Sequence, residues 1–450
     1  MAKRKQNRKT KHLLTQTIHP DAAGIDVGAE ELVVAVPLDR DDQPIRTYST
    51  FTDDLYALRD RLRSHSVTTV AMESTGTYWV AIYEILEAAG IAVCLVNARH
   101  VKGVPGKKTD VCDAQWLQQL HTAGLLKASF RPSREVVAVR QLMRHRSELI
   151  RDASRHLQHM QKALTEMNLK IHHVFSDLDG VSAMRIVEAI LAGQRDVDAL
   201  WALRDRRCKA TKAIFLKAMQ GDWQQSQLFI LGQSHASWLQ VRAAITECDA
   251  MVETLMGEVA GECEQSLPAL NVKRRRAKND LSFDIYKEGY RFYGVDLSTI
   301  DGVSAGTLAV LMSELGNAHD ILTRFRTAGA FASWLGLCPD NRISGGKILK
   351  TKTRRVVNRV SAALRMAAQG VSHAKCALGA YCRRMKGRLG KAEGITAVAH
   401  KLARLIYALI KTRKPYDEAT AFPTTAQTQA RRLKALKRLA KSLNMQVTPA

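Results

Sequence analysis

Two acidic residues stand three positions apart in the segment KKTDVCDA, residues 107 to 114, directly after a pair of lysines. If this segment is helical, Asp110 and Asp113 lie on the same face, because residues i and i+3 are neighbours on a helix surface. Such a pair is either solvent-exposed helix surface or part of a metal site. A metal site needs more carboxylates, and Asp26 and Glu73 are candidates because each lies in or beside a short apolar run.

Four converging carboxylates would repel one another by on the order of several kcal/mol at an effective dielectric constant of about 20. A divalent cation would relieve this repulsion, and ligands that are all oxygen favour Mg²⁺ or Mn²⁺. A pair of such ions can hold a phosphodiester for in-line displacement. The four acids therefore predict metal-dependent phosphodiester chemistry, provided that the fold brings them together.

Composition limits the partners of the chain. Its 450 residues are 46% hydrophobic and 25% charged, which is enough for a sizeable core and two or three domains. The formal net charge of +25 predicts a polyanionic partner, most simply nucleic acid. The eight cysteines include no CxxC pair, as expected for reduced thiols. Because no apolar run fits a signal peptide or a membrane span, the sequence predicts a cytoplasmic protein without a membrane partner.

The first 130 residues alternate between strand-like and helix-like segments. Runs of β-branched residues predict strands, and a ThrAspAsp start signal and leucines at helical spacing predict helices. The segments, in order, are strands at 23–28, 32–38 and 46–51, a helix through Leu55, Leu58 and Leu62, a strand at 67–74, a helix at 78–89, a strand at 91–97 and a helix from about 109 to 120. This β-β-β-α-β-α-β-α order is that of the ribonuclease H-like α/β fold.

The four acids fall on elements that can share one edge of such a sheet. Asp26 lies in the first strand, and Glu73 ends the central strand, at the carboxyl edge where open α/β sheets bind ligands. Asp110 and Asp113 share a face of the last helix. Each acid alone is weak evidence, but their joint placement predicts the metal site.

A heptad pattern occupies the middle of the chain. From Val136 to Ile171, apolar residues recur at alternating steps of three and four, with Arg146 at the one polar position. This spacing predicts a long coiled-coil helix and self-association. The alternative is an amphipathic helix that packs on the core of its own chain. Residues 175–290 look helical without recognisable chemistry.

The C-terminal half carries a segregated positive charge. The segment from Thr299, TIDGVSAGT, resembles a helix–hairpin–helix, whose amides can hold a DNA phosphate, although an ordinary turn is the alternative. Between Asp340 and Glu393 there are fourteen lysines and arginines and no acid, which predicts a nucleic-acid-binding surface. The expected contacts are Arg342, Gly345, Lys347, Lys350, Arg354 and Arg355, with Lys107 and Lys108 in the first domain.

Ser344 precedes two glycines within this basic segment. A serine in a Ser-Gly-Gly loop is usually a turn residue. Beside a four-carboxylate nuclease fold, it becomes a candidate nucleophile on DNA phosphorus.

Five motifs in order resemble one known family. GIDVG, MESTGTYW, KKTDVCDA, DGVSAGT and GLCPDNRISGG are similar to the motifs of the DEDD transposases of bacterial insertion sequences, the insertion-sequence-110 family and its eleven-eleven branch. The resemblance covers residues 21–130 and 295–412. One departure is that many relatives carry Lys-x-Gly-Asn after the serine loop, whereas this chain matches only the asparagine, Asn358.

The resemblance implies a RuvC-like domain with Asp26, Glu73, Asp110 and Asp113, and a mainly α C-terminal transposase domain with Ser344 as nucleophile. It implies a serine recombinase that joins donor and target DNA, guided by a non-coding bridge RNA, with sites shared between subunits of a dimer or tetramer in the bacterial cytoplasm, at the nucleoid. The expected domains are a basic arm at 1–20, the RuvC-like domain at 21–130, the helical coiled-coil region at 131–290, the transposase domain at 291–415 and a basic tail at 416–450.

Three other functions remain open from the residues. A RuvC-type nuclease or Holliday junction resolvase would use the four acids but would not need residues 131–450. An actin-like kinase shares the fold and the GIDVG strand, but no second glycine-rich phosphate motif is found. A DNA-binding protein without catalysis would explain the charge and leave the acids unused.

Overall fold

The computed structural model divides the chain into two compact units, residues 1–131 and 132–450. It describes residues 17–74, 76–97, 110–260, 277–350, 352–354 and 356–423, with single residues between 426 and 440. For a few residues inside helices or strands it describes the backbone alone; these include Asp110, Val111, Cys112, Arg342, Ile348 and Lys350. The further division of the second unit into three domains stays a prediction.

The first unit is a mixed α/β sheet with three helices among its described residues. Its elements, in order, are β1 (Ala22–Val27), β2 (Glu31–Ala35), β3 (Ile45–Ser49), α1 (Thr52–Ser64), β4 (Thr69–Glu73), α2 (Trp79–Ala88), β5 (Ala92–Val96) and α3 (Asp110–Thr122). The spatial strand order is β3-β2-β1-β4-β5, with antiparallel pairs around β2 and parallel pairs around β4. The order of elements along the chain is the one predicted from the sequence, and the mixed sheet is consistent with the ribonuclease H-like fold.

The two faces of this sheet have different partners. One face, which includes Ile25 and Met72, packs against α1 and α2 through Leu58 and Leu86, and all four side chains are fully buried. The other face meets α3, where Ala114 packs with residues of β2. Because successive side chains on a strand point to opposite faces, Asp26 and Glu73 lie on the α3 face of the sheet.

The second unit is mainly helical. Its first half contains α4 (Arg134–Glu166), α5 (Val181–Leu191), α6 (Val197–Ala202), α7 (Lys212–Ala218) and α8 (Gln225–Ala260). Its second half contains α9 (Ile285–Tyr293), α10 (Ala305–Leu315), α11 (Ala318–Arg324), α12 (Ala328–Trp334), β6 (Arg342–Ser344), β7 (Lys347–Lys350), α13 (Arg359–Gly370), α14 (Ala377–Leu389), α15 (Lys391–Thr412) and α16 (Glu418–Ala421). Among the residues that can be described, no helix is long and apolar enough to cross a membrane.

The heptad helix α4 packs against α8 of the same chain in an antiparallel hairpin. Near one end, the Cys248 thiol donates to the carbonyl of Leu142, and near the other, Gln227 donates to Glu166. All the predicted seam side chains are buried or half-buried within the chain. The seam therefore fits the alternative of a helix on its own core, and the heptad spacing is no evidence for a subunit interface.

Arg146, the polar residue of the seam, forms a buried ion pair across the α4–α8 hairpin. Its guanidinium donates to the carboxylate of Asp249, and Arg146 and Asp249 are 6% and 3% exposed. It also donates to the carbonyls of Asn279 and Asp280, while Asp249 accepts from the amide of Ser282. The pair thus ties the segment after residue 276 to both long helices.

In the C-terminal half, the amphipathic helix α15 is the centre of the packing. It buries a continuous row of apolar residues from Val398 to Ile410, and α12, α13 and α14 pack on it. The Tyr407 hydroxyl donates to the carbonyl of Phe325 across this core. The strands β6 and β7 lie outside this helical packing and form a separate two-stranded hairpin.

Candidate active site

Asp26 and Glu73 lie side by side at the carboxyl ends of two parallel strands. The register pairs Gly24 with Ala71 and Ile25 with Met72, so the next residues along β1 and β4 are Asp26 and Glu73. Neighbouring strands are about 4.8 Å apart, so the carboxylates of Asp26 and Glu73 can contact the same bound metal ion. Both are half-buried. The strand pairing therefore brings together the two acids that were predicted 47 residues apart in sequence.

Two contacts set the direction of α3 across this face. Nε2 of His121, near the end of α3, lies 2.8 Å from the Thr69 hydroxyl at the start of β4. Farther back along the helix, the carbonyl oxygen of Ala114 and the amide nitrogen of Gln118 would lie 2.2 and 2.5 Å from a Cβ at Gly24. Only glycine permits this approach. The helix therefore runs opposite to β1, and its first turn points toward the strand ends with the acids.

The first turn of α3 carries Asp110 and Asp113. Asp110 precedes Ala114 by four residues, about 6 Å along a helix axis. Asp26 follows Gly24 by two residues, about 6.6 Å along a strand. These similar lengths place the backbone of Asp110 level with Asp26. The side chain of Asp113 is exposed, and the structure describes only the backbone of Asp110.

The donor set fits a hard divalent cation, because it consists of carboxylates from three elements that meet at one edge of the sheet. The described side chains alone do not complete it. Among them, the cluster with ligand atoms all within 4.8 Å of one another is Asp301, Cys376 and Glu418, so the oxygens of Asp26, Glu73 and Asp113 are more widely spaced. The four-acid metal site stays a prediction, because only the backbone of Asp110 is described.

The cluster of Asp301, Cys376 and Glu418 was not predicted from the sequence, and it has a structural role at the start of α14. The Cys376 sulfur accepts a hydrogen bond from the amide of Gly379, and Glu418 accepts one from the amide of Ala377. Burial, together with the nearby carboxylates, raises the pKa of the Cys376 thiol. The cluster therefore caps a helix, and its residues come from segments too distant in sequence to show a pattern.

Ser344 lies at the tip of a tight β-hairpin in the second unit. It ends β6 and pairs with Lys347, and between them Gly345 and Gly346 have φ values of +54° and +78°. Two successive positive φ values define the two-residue turn that best suits a hairpin. A Cβ at either glycine would have no neighbour within 4 Å, so the tip is open. The predicted Ser-Gly-Gly loop is thus a short, defined turn, with Ser344 exposed.

The hairpin carries its positive charge on exposed side chains. Lys347 and Arg354 are exposed, and Arg354 donates to the carbonyl of Ser333 at 2.6 Å, which anchors the base of the hairpin. Exposed aliphatic residues accompany them, since Ile343 is 61% and Leu349 is 68% exposed. Arg342 and Lys350 are described as strand backbone only, and Lys107, Lys108 and Arg355 lie outside the described residues.

The segments on either side of the hairpin are held by helix caps. In the segment that resembles a helix–hairpin–helix, Gly302 has a φ of +91°, and a Cβ at this position would lie 2.4 Å from Val371. The side chain of Ser304 then caps the start of α10. Asn358, the residue matched in the diverged stretch, accepts a hydrogen bond from the amide of Ser361 and so begins α13. The asparagine therefore has a local structural function even without the preceding glycine.

Two family models match the chain in the regions that carry these features. A model described as a transposase, for DEDD transposases of the IS110 type, matches residues 23–169, and one for the transposase IS116/IS110/IS902 family matches residues 296–383. The first range contains the four acids and the second contains Ser344. A search of curated proteins gave no match. DEDD transposases typically use a divalent metal ion. The chain belongs to the IS110 family of DEDD transposases and is an enzyme that cleaves and transfers DNA strands.

Proposed function

We propose that the protein cuts and rejoins donor and target DNA with two groups of residues, the four acids and Ser344. The observation that carries this proposal is the parallel pairing that sets Asp26 beside Glu73 below the first turn of α3. In this proposal Asp26, Glu73, Asp110 and Asp113 hold Mg²⁺, or Mn²⁺ in its place. The bound ion supplies positive charge for the phosphate oxygens as the phosphorus becomes five-coordinate.

Ser344 acts as the nucleophile in this proposal. Its hydroxyl oxygen bonds to a DNA phosphorus, and the bond from phosphorus to one deoxyribose oxygen breaks. The serine proton passes to a carboxylate of the acid set and from there to the departing deoxyribose oxygen, which leaves as a hydroxyl. The exposed hairpin tip supports this role because the hydroxyl meets no steric barrier there. A second strand end then attacks the phosphoserine and releases the enzyme.

The remaining partners are proposed from the charge of the chain and from its family. A net charge of +25 suits contact with more than one nucleic-acid duplex, and we propose that a bridge RNA encoded by the element is one partner. We also propose a dimer or tetramer in which different subunits supply the acids and Ser344. The heptad seam gives no support to this assembly, because α8 covers it in the same chain.

The test is strand exchange between two labelled DNA duplexes bearing the ends of the element and its target, in the presence of the element's non-coding RNA and Mg²⁺. We expect Asp26→Asn and Glu73→Gln to lower the exchange rate at least about a hundredfold, since each removes one ligand charge. Mg²⁺ should raise the melting temperature of the parent protein but not of these variants.

The matched control is Asp39→Asn, which removes an exposed carboxylate from the turn after β2 in the same unit. It should exchange strands and respond to Mg²⁺ like the parent. Near-parental exchange by Asp26→Asn, or a Mg²⁺ response that persists in both site variants, would contradict the proposed metal site.

A further inference from the structure

A cavity of about 700 Å³ lies in the C-terminal half of the chain, apart from the serine hairpin in sequence and lined entirely by described residues. One wall is a face of α15, and the opposite wall is the segment from Lys414 to Ala421, which folds back along that helix. Tyr381 of α14 forms a third side. This volume is within the range of about 300–1,000 Å³ that is usual for small-ligand pockets.

The walls of the cavity combine an apolar strip with aromatic rings. Leu405, Ala408 and Leu409 form the strip on α15. The rings of Tyr381 and Tyr416 also line the cavity. Phe422, outside the lining, packs on the Tyr381 ring with centroids 5.8 Å apart and so supports it from behind. Flat aromatic and aliphatic surfaces of this kind hold nucleobases in single-stranded nucleic-acid sites, because every base has a π-face.

Basic side chains lie on both of the facing walls of the same cavity. His400, Lys401 and Arg404 lie within two turns of α15, and Lys414 begins the opposite wall. Burial first, and then the neighbouring Arg404, lower the pKa of both His400 and Lys401. Lys401 donates to the carbonyl of Ala421, whereas Arg404 and Lys414 are exposed and form no ion pair within the described part of the chain. An anion in the cavity would relieve this crowding of positive charge.

The lining also contains one acid, Asp417, whose charge offsets part of the positive charge. Asp417 accepts hydrogen bonds from the amides of Ala419 and Thr420 and so caps α16. Tyr416, next to it, has a buried hydroxyl oxygen with no hydrogen-bond partner in the described structure. Burial, with help from Glu418, raises the pKa of Tyr416 to about 12, so the hydroxyl stays a neutral donor.

We propose that this cavity receives one unpaired nucleotide of a nucleic-acid strand, with its base against the α15 strip and Tyr381 and its phosphate beside Arg404 and Lys414. This nucleotide fits the lining, which combines the apolar strip and the Tyr381 ring for a base with the exposed Arg404 and Lys414 for a phosphate. That the nucleotide belongs to a strand, and is not a free mononucleotide, rests on the proposed function. The site is separate from the carboxylates and from Ser344 in sequence and needs neither for binding.

The experiment compares two labelled DNA duplexes that differ by one nucleotide. One carries a single bulged 2-aminopurine, and the other carries 2-aminopurine paired with thymine. We expect the parent protein to bind the bulged duplex at least about fivefold more tightly, which corresponds to the lower end of base-stacking energies. The fluorescence of the bulged 2-aminopurine should change on binding, while that of the paired base should not.

Two pairs of variants assign any preference to the cavity. Ala408→Phe fills the cavity from an exposed position on α15 and should remove the preference, whereas Ala392→Phe, an exposed alanine of the same helix outside the cavity, should keep it. Arg404→Gln should weaken binding of the bulged duplex more than Lys411→Gln, an exposed control on α15. A third arm adds free deoxyadenosine monophosphate as competitor.

Each outcome of this experiment decides the proposal. A preference for the bulged duplex that is lost in Ala408→Phe and kept in Ala392→Phe supports a strand nucleotide. If instead free deoxyadenosine monophosphate binds the parent and not Ala408→Phe, while the two duplexes bind equally, the same chemistry is supported with a mononucleotide as its source. Equal binding of both duplexes without a monophosphate signal, or a preference that Ala408→Phe leaves intact, would overturn the proposed site. If the parent bound neither duplex, the proposed recombinase function itself would fail, so the two failures are distinguishable.

Discussion

At the residue scale, the assignment of Ser344 depends on chemistry that its surroundings only partly supply. The hairpin tip gives exposure and adjacent positive charge, but no histidine base stands near it in sequence. We therefore expect Ser344→Ala to bind DNA with parental affinity, because one exposed oxygen is lost, yet to form no covalent complex. The measurement is denaturing electrophoresis with labelled DNA, followed by mass spectrometry of the adduct.

The control for Ser344→Ala is Ser361→Ala, because Ser361 lies in the same basic segment but is buried in α13. It should form the adduct like the parent. An adduct that persists in Ser344→Ala would place the nucleophile on another residue, whereas strand cleavage by the parent without any adduct would leave the four acids acting on water, as in a RuvC-type nuclease. Ser344 would then be a turn residue.

The protonation of His121 makes the stability of the packing of α3 on the sheet depend on pH. Burial, and to a smaller extent the neighbouring His19, lower the pKa of His121 to about 4 from its usual 6.5. The unfolded chain therefore binds this proton more readily than the folded one, so the contribution to stability is full above pH 6.5 and falls as pH drops toward 4. We expect a loss on the order of 2 kcal/mol over this interval, allowing for partial solvent screening.

The measurement for His121 is urea unfolding at several pH values, followed by hydrogen-exchange labelling of the α3 segment. His121→Gln, which can still bond to Thr69, should flatten the loss between pH 6.5 and 4. His145→Gln, an exposed histidine on α4, should not. An equal slope in His121→Gln and the parent would show that other groups cause the acid sensitivity.

At the element scale, the order of the first eight elements was predictable because each strand is a short β-branched run with a clear helix signal between strands. Asp26 and Glu73 could be assigned to one edge because each lies near the carboxyl end of its strand, and the parallel pairing of β1 with β4 sets these ends side by side. The partner of α4 was not predictable. A heptad pattern shows that the apolar stripe of a helix is covered, but it does not show whether the covering helix belongs to the same chain or to another subunit. The hairpin at Ser344 was missed for a related reason, as two glycines are compatible with a loose loop or a tight turn.

The Arg146–Asp249 pair is the element-scale feature with the largest expected energetic effect. Breaking a buried ion pair by removing one partner leaves an uncompensated charge, which typically costs about 3–5 kcal/mol. We therefore expect Arg146→Met and Asp249→Leu each to destabilise the α4–α8 hairpin by about this amount. The double variant should be close to the parent, because it buries no charge.

Chemical denaturation of the parent, the two single variants and the double variant measures this coupling as a mutant cycle. Arg155→Met serves as the control, because Arg155 forms an exposed pair with Asp152 on the same helix and should change stability by less than about 1 kcal/mol. Additive losses in the double variant would show that the two side chains do not act as a pair.

At the scale of the whole molecule, the positive charge is the feature that most directly concerns the substrate. Fourteen lysines and arginines stand without an acid between Asp340 and Glu393, and the described ones on the hairpin are exposed. Each cation that neutralises a DNA phosphate releases a counterion, which makes the logarithm of the affinity fall with the logarithm of salt by about 0.9 per contact. Phosphate contacts elsewhere on the chain add to the same slope. The contribution of the hairpin is therefore the difference in slope between the parent and a variant that lacks the hairpin cations.

We expect the combined replacement of Lys347, Lys350, Arg354 and Arg355 by glutamine to lower this slope by up to about four. Fluorescence anisotropy of a labelled duplex over a series of salt concentrations measures it. The matched control is a set of four exposed lysines of the second unit that lie outside the basic segment; these are Lys162 of α4, Lys209 between α6 and α7, and Lys212 and Lys217 of α7. They carry the same charge but lie away from the hairpin in sequence, so their replacement should leave the slope nearly unchanged. A slope that falls for the control set and not for the hairpin set would place the DNA path on α4 to α7, and Ser344 would then lack the duplex that its proposed reaction requires.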